Sequence, residues 1–208
     1  DQLVNGIDEF ICNDIVASLY RRKINFKFFN QMTKNINIPI TLGGGVKSLN
    51  DISKLLKNGA DKVSINTHLL TSNKKLLSNS CKIFGSQCIV TDINAKLIDG
   101  EWYCMTDNAR INSGIKVKNW VVEAQNLGTG EILLQCVDTD GSMLGPNLNL
   151  LDQIVPIVKV PLIISSGIGT YEHLEILKKY EPDAICISSA FLYKKLSIQK
   201  TKKVFGGL

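Results

Sequence analysis

Histidine is scarce in this chain: His68 and His173 are its two copies, and they lie far apart. The six cysteines (Cys12, Cys81, Cys88, Cys104, Cys136, Cys186) form no Cys-x-x-Cys pair. This ligand supply argues against a zinc site, so neither a metal nor a cofactor is expected. Several of the cysteines sit in apolar, strand-like runs, which reads as buried reduced thiols in a cytoplasmic protein. No apolar run approaches the roughly 18–20 residues that span a bilayer. The opening Asp1-Gln2-Leu3 has neither the basic segment nor the apolar run of a signal peptide. It also lacks an initiator methionine, so the start of the chain is expected to be missing.

What is present is ordinary for a globular domain: 208 residues, 44% hydrophobic and 21% charged, enough to bury a core as a single domain over residues 1–208. The net charge of +5, from 24 Lys and Arg against 19 Asp and Glu, is spread over helix faces and the basic tail from Lys200 to Lys203. Solvated faces of this kind do not make a nucleic-acid surface. A mild positive field does favour a phosphorylated substrate.

Short apolar runs alternate with amphipathic stretches. The predicted strands are Glu9–Asp14, Ile38–Leu42, Lys62–Asn66, Cys88–Ile93, Glu131–Val137, Pro161–Ser165 and Ala184–Ser188. The predicted helices include Leu49–Lys57, Val117–Asn126, Asn149–Val158 and His173–Lys179. Continuous apolar strands followed by helices indicate a parallel sheet covered on both faces, an α/β protein. Sliding the sequence by 122 positions lays Gly6 on Gly128, Glu9 on Glu131, Pro39 on Pro161, Gly45 on Gly167, Asp61 on Asp183 and Ile65 on Ile187. That offset holds four βα units of about 30 residues, and two such halves make a (β/α)8 TIM barrel. Seven strands are visible. The repeat partner of Cys88–Ile93 falls before residue 1, so the barrel is expected to be truncated at its N-terminus, lacking the first strand.

In such a barrel the active site lies in the loops after the strands. Gly43-Gly44-Gly45 and Asn66-Thr67 follow two strands of the first half. Ser165-Ser166-Gly167 and Ser188-Ser189 are their repeat partners in the second. Glycine lets backbone approach a phosphate, and hydroxyls, amides and free N–H groups supply donors. Two such sites on one barrel mouth imply a ligand with a phosphate at each end. Asp14 and the Asp138-Thr139-Asp140-Gly141 run place carboxylates at the mouth for acid–base work, although Asp-x-Asp-Gly is also a turn motif. Asn94 ends another strand; its amide can orient a substrate but cannot exchange a proton as a carboxylate does. At the opposite, N-terminal ends of the strands lie Glu9, Lys62 and Glu131, with Asp61 beside them.

Nearly the whole chain resembles the cyclase-subunit family of imidazole glycerol phosphate synthase, from histidine biosynthesis. The residues that carry the likeness include Gly6-Ile7-Asp8-Glu9, Pro39 to Gly45, Gly59 to Thr67, Phe84-Gly85-Ser86-Gln87, Asn119 to Glu123, Gly130 to Leu134 and Asp138 to Gly141. The resemblance implies a lyase that takes ammonia from a glutaminase subunit docked on the barrel floor. The ammonia reacts with a bisphosphorylated ribulosyl-aminoimidazole-carboxamide, giving imidazole glycerol phosphate and an aminoimidazole carboxamide ribotide. It also implies that Gly45, Asn66 and Thr67 hold one phosphate, and that Asp140, Gly141, Gly167, Ser188 and Ser189 line the other side. Asp14 becomes a substrate-contacting acid, Glu9, Lys62 and Glu131 a gate for ammonia, and Asp61 a contact to the partner.

Three departures stand out. The family's first-strand aspartate is absent with its strand, and Asn94 stands where the family has its fifth-strand aspartate. Asp92 points to the same face but deeper, which argues against a simple exchange of roles. Gln135, Ser166 and Ile168 replace smaller residues. As written, the chain is expected to cyclise poorly or not at all. Two alternatives therefore stay open: diversion to ammonia-dependent amidation of a surface sugar, and a catalytically impaired binding subunit.

Overall fold

The computed structural model describes residues 6–34 and 36–206. Seven parallel strands form one sheet in the order β1-β2-β3-β4-β7-β8-β9. They are β1 (Phe10–Asn13), β2 (Ile40–Gly43), β3 (Lys62–Ile65), β4 (Ile89–Ile98), β7 (Glu131–Cys136), β8 (Leu162–Ser165) and β9 (Ala184–Cys186). Each corresponds to one of the predicted strands. Two further strands, β5 (Glu101–Thr106) and β6 (Ile111–Lys116), form an antiparallel hairpin on the extended end of β4. Neither strand of this hairpin is among those predicted from the sequence.

The strands are linked by amphipathic helices. Helix α1 is Phe26–Thr33, α2 Leu49–Lys57, α3 Thr67–Thr71, α4 Lys75–Phe84, α5 Val117–Asn126, α6 Leu148–Ile154, α7 Tyr171–Lys178, α8 Ser189–Leu192 and α9 Ile198–Gly206. Helix α2 shows why they form where they do. The Ser48 hydroxyl accepts from the Asp51 amide at 3.1 Å, and the Asp51 carboxylate accepts from the Lys47 amide and the Ser48 hydroxyl. That closes the first turn before Ile52 and Leu55 turn their apolar face to the sheet.

The sheet is curled into a barrel, as contacts across its concave face show. In a flat sheet β1 and β4 would lie three strand spacings apart, about 14 Å. Yet Asn13 on β1 donates to Asp92 on β4 at 3.4 Å. Lys62 on β3 likewise reaches Glu9, just before β1, and Glu131 on β7. Inside the barrel Val90, Leu133 and Ile163 form an apolar layer, with Ile11, Ala184 and Cys186 packed against it. A larger cluster, including Leu42, Ile52, Val63, Trp120, Leu134 and Leu174, fills the space between sheet and helices. This is the (β/α)8 architecture with seven of its parallel strands. The path ends at β1 and β9, which are not paired with each other among the described residues. Helix α9 reaches from α7, the helix that precedes β9, to the segment before β1: it packs on α7, and Lys202 Nζ lies 2.7 Å from Asp8 Oδ1.

The half-barrel repeat is also a repeat of backbone conformation. Gly6 and Gly128 have φ of +93° and +94°, and Gly45 and Gly167 have +73° and +76°. Asp61 Oδ2 accepts from the Ile40 amide at 2.8 Å, and its partner Asp183 accepts from Leu162 at the same distance. Both aspartates thus cap the start of the preceding strand of the sheet.

Candidate functional site

A cavity of about 780 Å³ opens at the C-terminal ends of the strands. Gly44, Gly45, Asn66 and Thr67 line it on one side, and Gly141, Ser165, Ser188 and Ser189 on the other. Asp14, Asn94 and Asp140 lie between them. Ser166 and Gly167 line an adjoining pocket of about 30 Å³, shared with Asp140 and the paired serines. Apart from Gly43 and Asp138, the mouth residues singled out in the sequence therefore come together around this opening and its side pocket.

Local backbone geometry builds the two sides alike. Gly44 and its repeat partner Ser166 adopt φ of +99° and +82°. A Cβ on Gly44 would collide with the Asp14 backbone, and one on Gly167 with the Gly145 carbonyl. Both loops thus run tightly beside a neighbouring chain segment, and glycine allows this. Asn66 and Ser188, also repeat partners, have similar backbone angles (φ −125°, ψ −92° and φ −119°, ψ −73°) at the start of a short helix. Both side-chain polar atoms of Asn66 are buried without a hydrogen-bond partner. An amide so placed is costly unless a polar ligand meets it.

The carboxylates fall into three roles. Asp14 Oδ1 accepts from the Val16 amide at 3.2 Å and lies 3.7 Å from Arg22 Nη2, so it braces its own loop while facing the cavity. Asp140 Oδ1 accepts from the Ser166 hydroxyl at 3.4 Å. Asp138 instead accepts from the Leu97 amide at 3.0 Å and ties the loop after β7 to the end of β4. It is absent from the cavity wall.

Deeper in the cavity lies a polar cluster centred on Asp92. Asp92 is 7% exposed and lines the cavity below Asn94. Gln135 Nε2 donates to Asp92 Oδ1 at 2.7 Å and stands 3.3 Å from Asn94 Oδ1, while Asn13 Nδ2 donates to Asp92 Oδ2. Burial pushes the Asp92 carboxyl up to about 6, against the opposing hydrogen bond from Gln135. Strand parity places Asp92 and Asn94 on one face, but the depth of the cavity is a tertiary property.

At the other end of the barrel, Lys62 Nζ joins Glu9 at 2.9 Å and Glu131 at 2.5 Å. Burial alone would lower the lysine's pKa, but the two carboxylates outweigh it and the net shift is upward. Asp61 flanks this group at an exposed position, with Oδ2 engaged by the Ile40 amide. Arg21 and Lys47 at the mouth, and Asp107 and Asn108 at the hairpin tip, carry no signal in the sequence, and His68, weighed there only as a metal ligand, lines the mouth as well. The Asp107 amide donates to Thr67 Oγ1 at 3.1 Å, so the hairpin leans over the first-half loop. All six cysteines are free thiols. Among the described residues no cluster of three or more metal-binding side chains is found, and no helix is long and apolar enough to cross a membrane.

Comparison with known proteins matches residues 3–197 to the family described as "Histidine biosynthesis protein". Imidazole glycerol phosphate synthase subunit HisF of Hydrogenobaculum sp. (strain Y04AAS1) is 41% identical over 197 residues, 94% of this chain and 78% of that protein. The HisF subunit of Thermotoga sp. (strain RQ2) is 36% identical over 95% of this chain and 78% of its own length. That of Legionella pneumophila is 44% identical over 80% of this chain and 79% of its own length. With its repeat, its barrel and the loops around its mouth, the chain belongs to the histidine-biosynthesis protein family, among the HisF subunits of imidazole glycerol phosphate synthase.

Proposed function

We propose that this chain is the cyclase (lyase) subunit of imidazole glycerol phosphate synthase, working in the cytoplasm with a glutaminase subunit. Its substrate is the bisphosphorylated ribulosyl-aminoimidazole-carboxamide; its products are imidazole glycerol phosphate and aminoimidazole carboxamide ribotide. The observation that carries the reading is that two repeat-related loop groups face one another across a single cavity. Gly44, Gly45, Asn66 and Thr67 hold one phosphate. Gly141, Ser165, Ser166, Gly167, Ser188 and Ser189 hold the other. Gripping both termini fixes the middle of the substrate over the barrel axis, which replaces a bimolecular encounter by a positioned one.

Ammonia arrives from below. The Lys62–Glu9–Glu131 group forms the gate, and Asp61 lies on the outer face where the glutaminase docks. Above the gate the layer of Val90, Leu133 and Ile163 is apolar. It disfavours the charged ammonium form and passes neutral ammonia, the nucleophile. In the cavity ammonia adds to the ribulosyl carbonyl carbon, forming the new C–N bond as the carbonyl oxygen leaves as water. The new nitrogen then bonds to the amidine carbon, closing the imidazole ring as that carbon's bond to the ribotide nitrogen breaks and the departing amine takes up the proton the ring nitrogen sheds. Asp14 and Asp140 stand at the mouth as substrate-contacting acids, and Asn94 orients the substrate through its amide.

The test supplies the bisphosphate with ammonium chloride at pH 8 and follows both products. Turnover with ammonium, and with glutamine after a glutaminase subunit is added, is expected, slow because Asn94 stands where the family has an aspartate. Tight bisphosphate binding without product would instead mark the chain as a binding subunit. Failure to bind the bisphosphate would remove the reading.

A further inference from the structure

Asn94 has no exchangeable proton to offer as an acid or base, yet the proposed reaction needs one moved. Addition of ammonia leaves hydrogens on the new nitrogen that must be lost, and the departing oxygen needs them to leave as water. Each proton that the nitrogen sheds is one that the oxygen gains, so one carboxyl group that accepts and returns protons closes the balance.

We infer that Asp92, held by the side-chain amides of Gln135 and Asn13, is the group in this chain that exchanges those protons. The inference rests on the reading of the chain as an ammonia-dependent cyclase. Three observations support it. Asp92 lines the same cavity as both phosphate-binding loop groups, one step below Asn94 on the same face of β4. Its place is between the mouth and the apolar layer through which ammonia comes, so it meets the nucleophile and the substrate's middle together. Its hydrogen-bonding partners are neutral: Gln135 at 2.7 Å and Asn13 at 3.4 Å, with no salt bridge to Asp92 among the described residues. A buried carboxylate tied to a cation would stay ionised, whereas one aimed by amides can both lose and regain a proton. Burial lifts it toward the operating range, and Gln135 restrains that rise. Gln135 is then a positioning residue, and its bulk in place of a smaller residue gains a purpose: it spans from Asp92 to Asn94.

The ionisable groups around Asp92 are few. The Cys186 thiol on β9 is pushed upward by burial and also feels the Asp92 and Asp140 charges. Asp14 and Asp140 line the mouth above with Arg21, Lys47 and His68, and Lys62 with Glu131 lies at the floor. None of these is hydrogen-bonded to Asp92.

The test compares the full chain with Asp92→Asn and Gln135→Met. The substrate is the ribulosyl bisphosphate and the donor ammonium chloride, with kcat, KM and calorimetric substrate affinity measured from pH 5 to 9 at fixed free ammonia. Asp92→Asn should lower kcat by about a hundredfold or more while substrate affinity stays within about twofold. The acid limb near pH 6 should vanish from what activity remains. Gln135→Met, which removes the bond favouring the ionised form and one of the two amides that aim Asp92, should move that limb to higher pH and lower kcat at pH 8 by less than Asp92→Asn does. Asp92→Asn with kcat within about threefold of the parent, or an acid limb unchanged in both variants, overturns the assignment of Asp92 alone. The same follows if the parent binds the bisphosphate without turning it over. A parent that does not bind it fails at the proposed function, and the inference falls with it.

Discussion

Gly44 and Ser166 stand at equivalent points of the two halves, and substituting them should move stability in opposite directions. Gly44→Ala adds a methyl group that meets the Asp14 backbone at φ +99°. A cost of about 2–4 kcal/mol is expected, read as a lower urea midpoint, together with weaker phosphate protection. Ser166→Gly relieves a left-handed serine at φ +82°, worth about 1 kcal/mol before the loss of a long 3.4 Å contact to Asp140. A midpoint unchanged or raised is expected there. Asp92 makes a third residue-level prediction. Its folded carboxyl titrates at about 6, above the ordinary 3.8, so between those values the native state holds more protons than the unfolded one. Stability must therefore fall as pH rises through that window, by up to about 3 kcal/mol. Denaturation of the parent against Asp92→Asn from pH 4 to 7 reads the difference directly. A gap between the two that does not change with pH would refute the shift.

At the scale of elements, the floor joins three separated strands through one ammonium group. Lys62→Met would strand the half-buried Glu131, whose second oxygen already lacks a partner, and should cost about 2–3 kcal/mol. Glu9→Gln, on a side chain 46% exposed, should cost under about 1 kcal/mol. Because Lys62 titrates higher in the folded state, its contribution holds below the ordinary lysine value and is lost only as pH climbs through the raised one. Urea melts at pH 8 and pH 11 check both statements. The seven parallel strands were legible because each is a short apolar run between turn signals; Ile40–Gly43 is buried at every position. The β5–β6 hairpin was overlooked, although Trp102 and Cys104 are buried while Glu101 and Tyr103 are only half-buried, the period of a one-sided strand. It sits where the βα pattern leads one to expect a plain connection from strand to helix. The loops at the mouth were legible because the repeat doubles each signal: Gly45 alone reads as a turn, but Gly45 with Gly167 marks the same backbone conformation in both halves. The Asp92–Gln135–Asn13 cluster was not, since it joins three strands whose register no local pattern carries.

For the molecule as a whole, function follows from curling a repeated sequence upon itself. The offset that lays Gly45 on Gly167 becomes a pair of loop groups facing one another over about 780 Å³. The charged floor and apolar middle layer below are the proposed route for a small neutral nucleophile. On the proposed reading each half contributes one anion site, so affinity for a ligand that reaches both should exceed that for either end by the effective concentration of the second. Calorimetric titration with inorganic phosphate and with the ribulosyl bisphosphate measures this directly. Two phosphates per chain are expected, against one bisphosphate bound about a hundredfold tighter or more. Saturation by a single phosphate, or a bisphosphate held no more tightly than phosphate itself, would contradict the account.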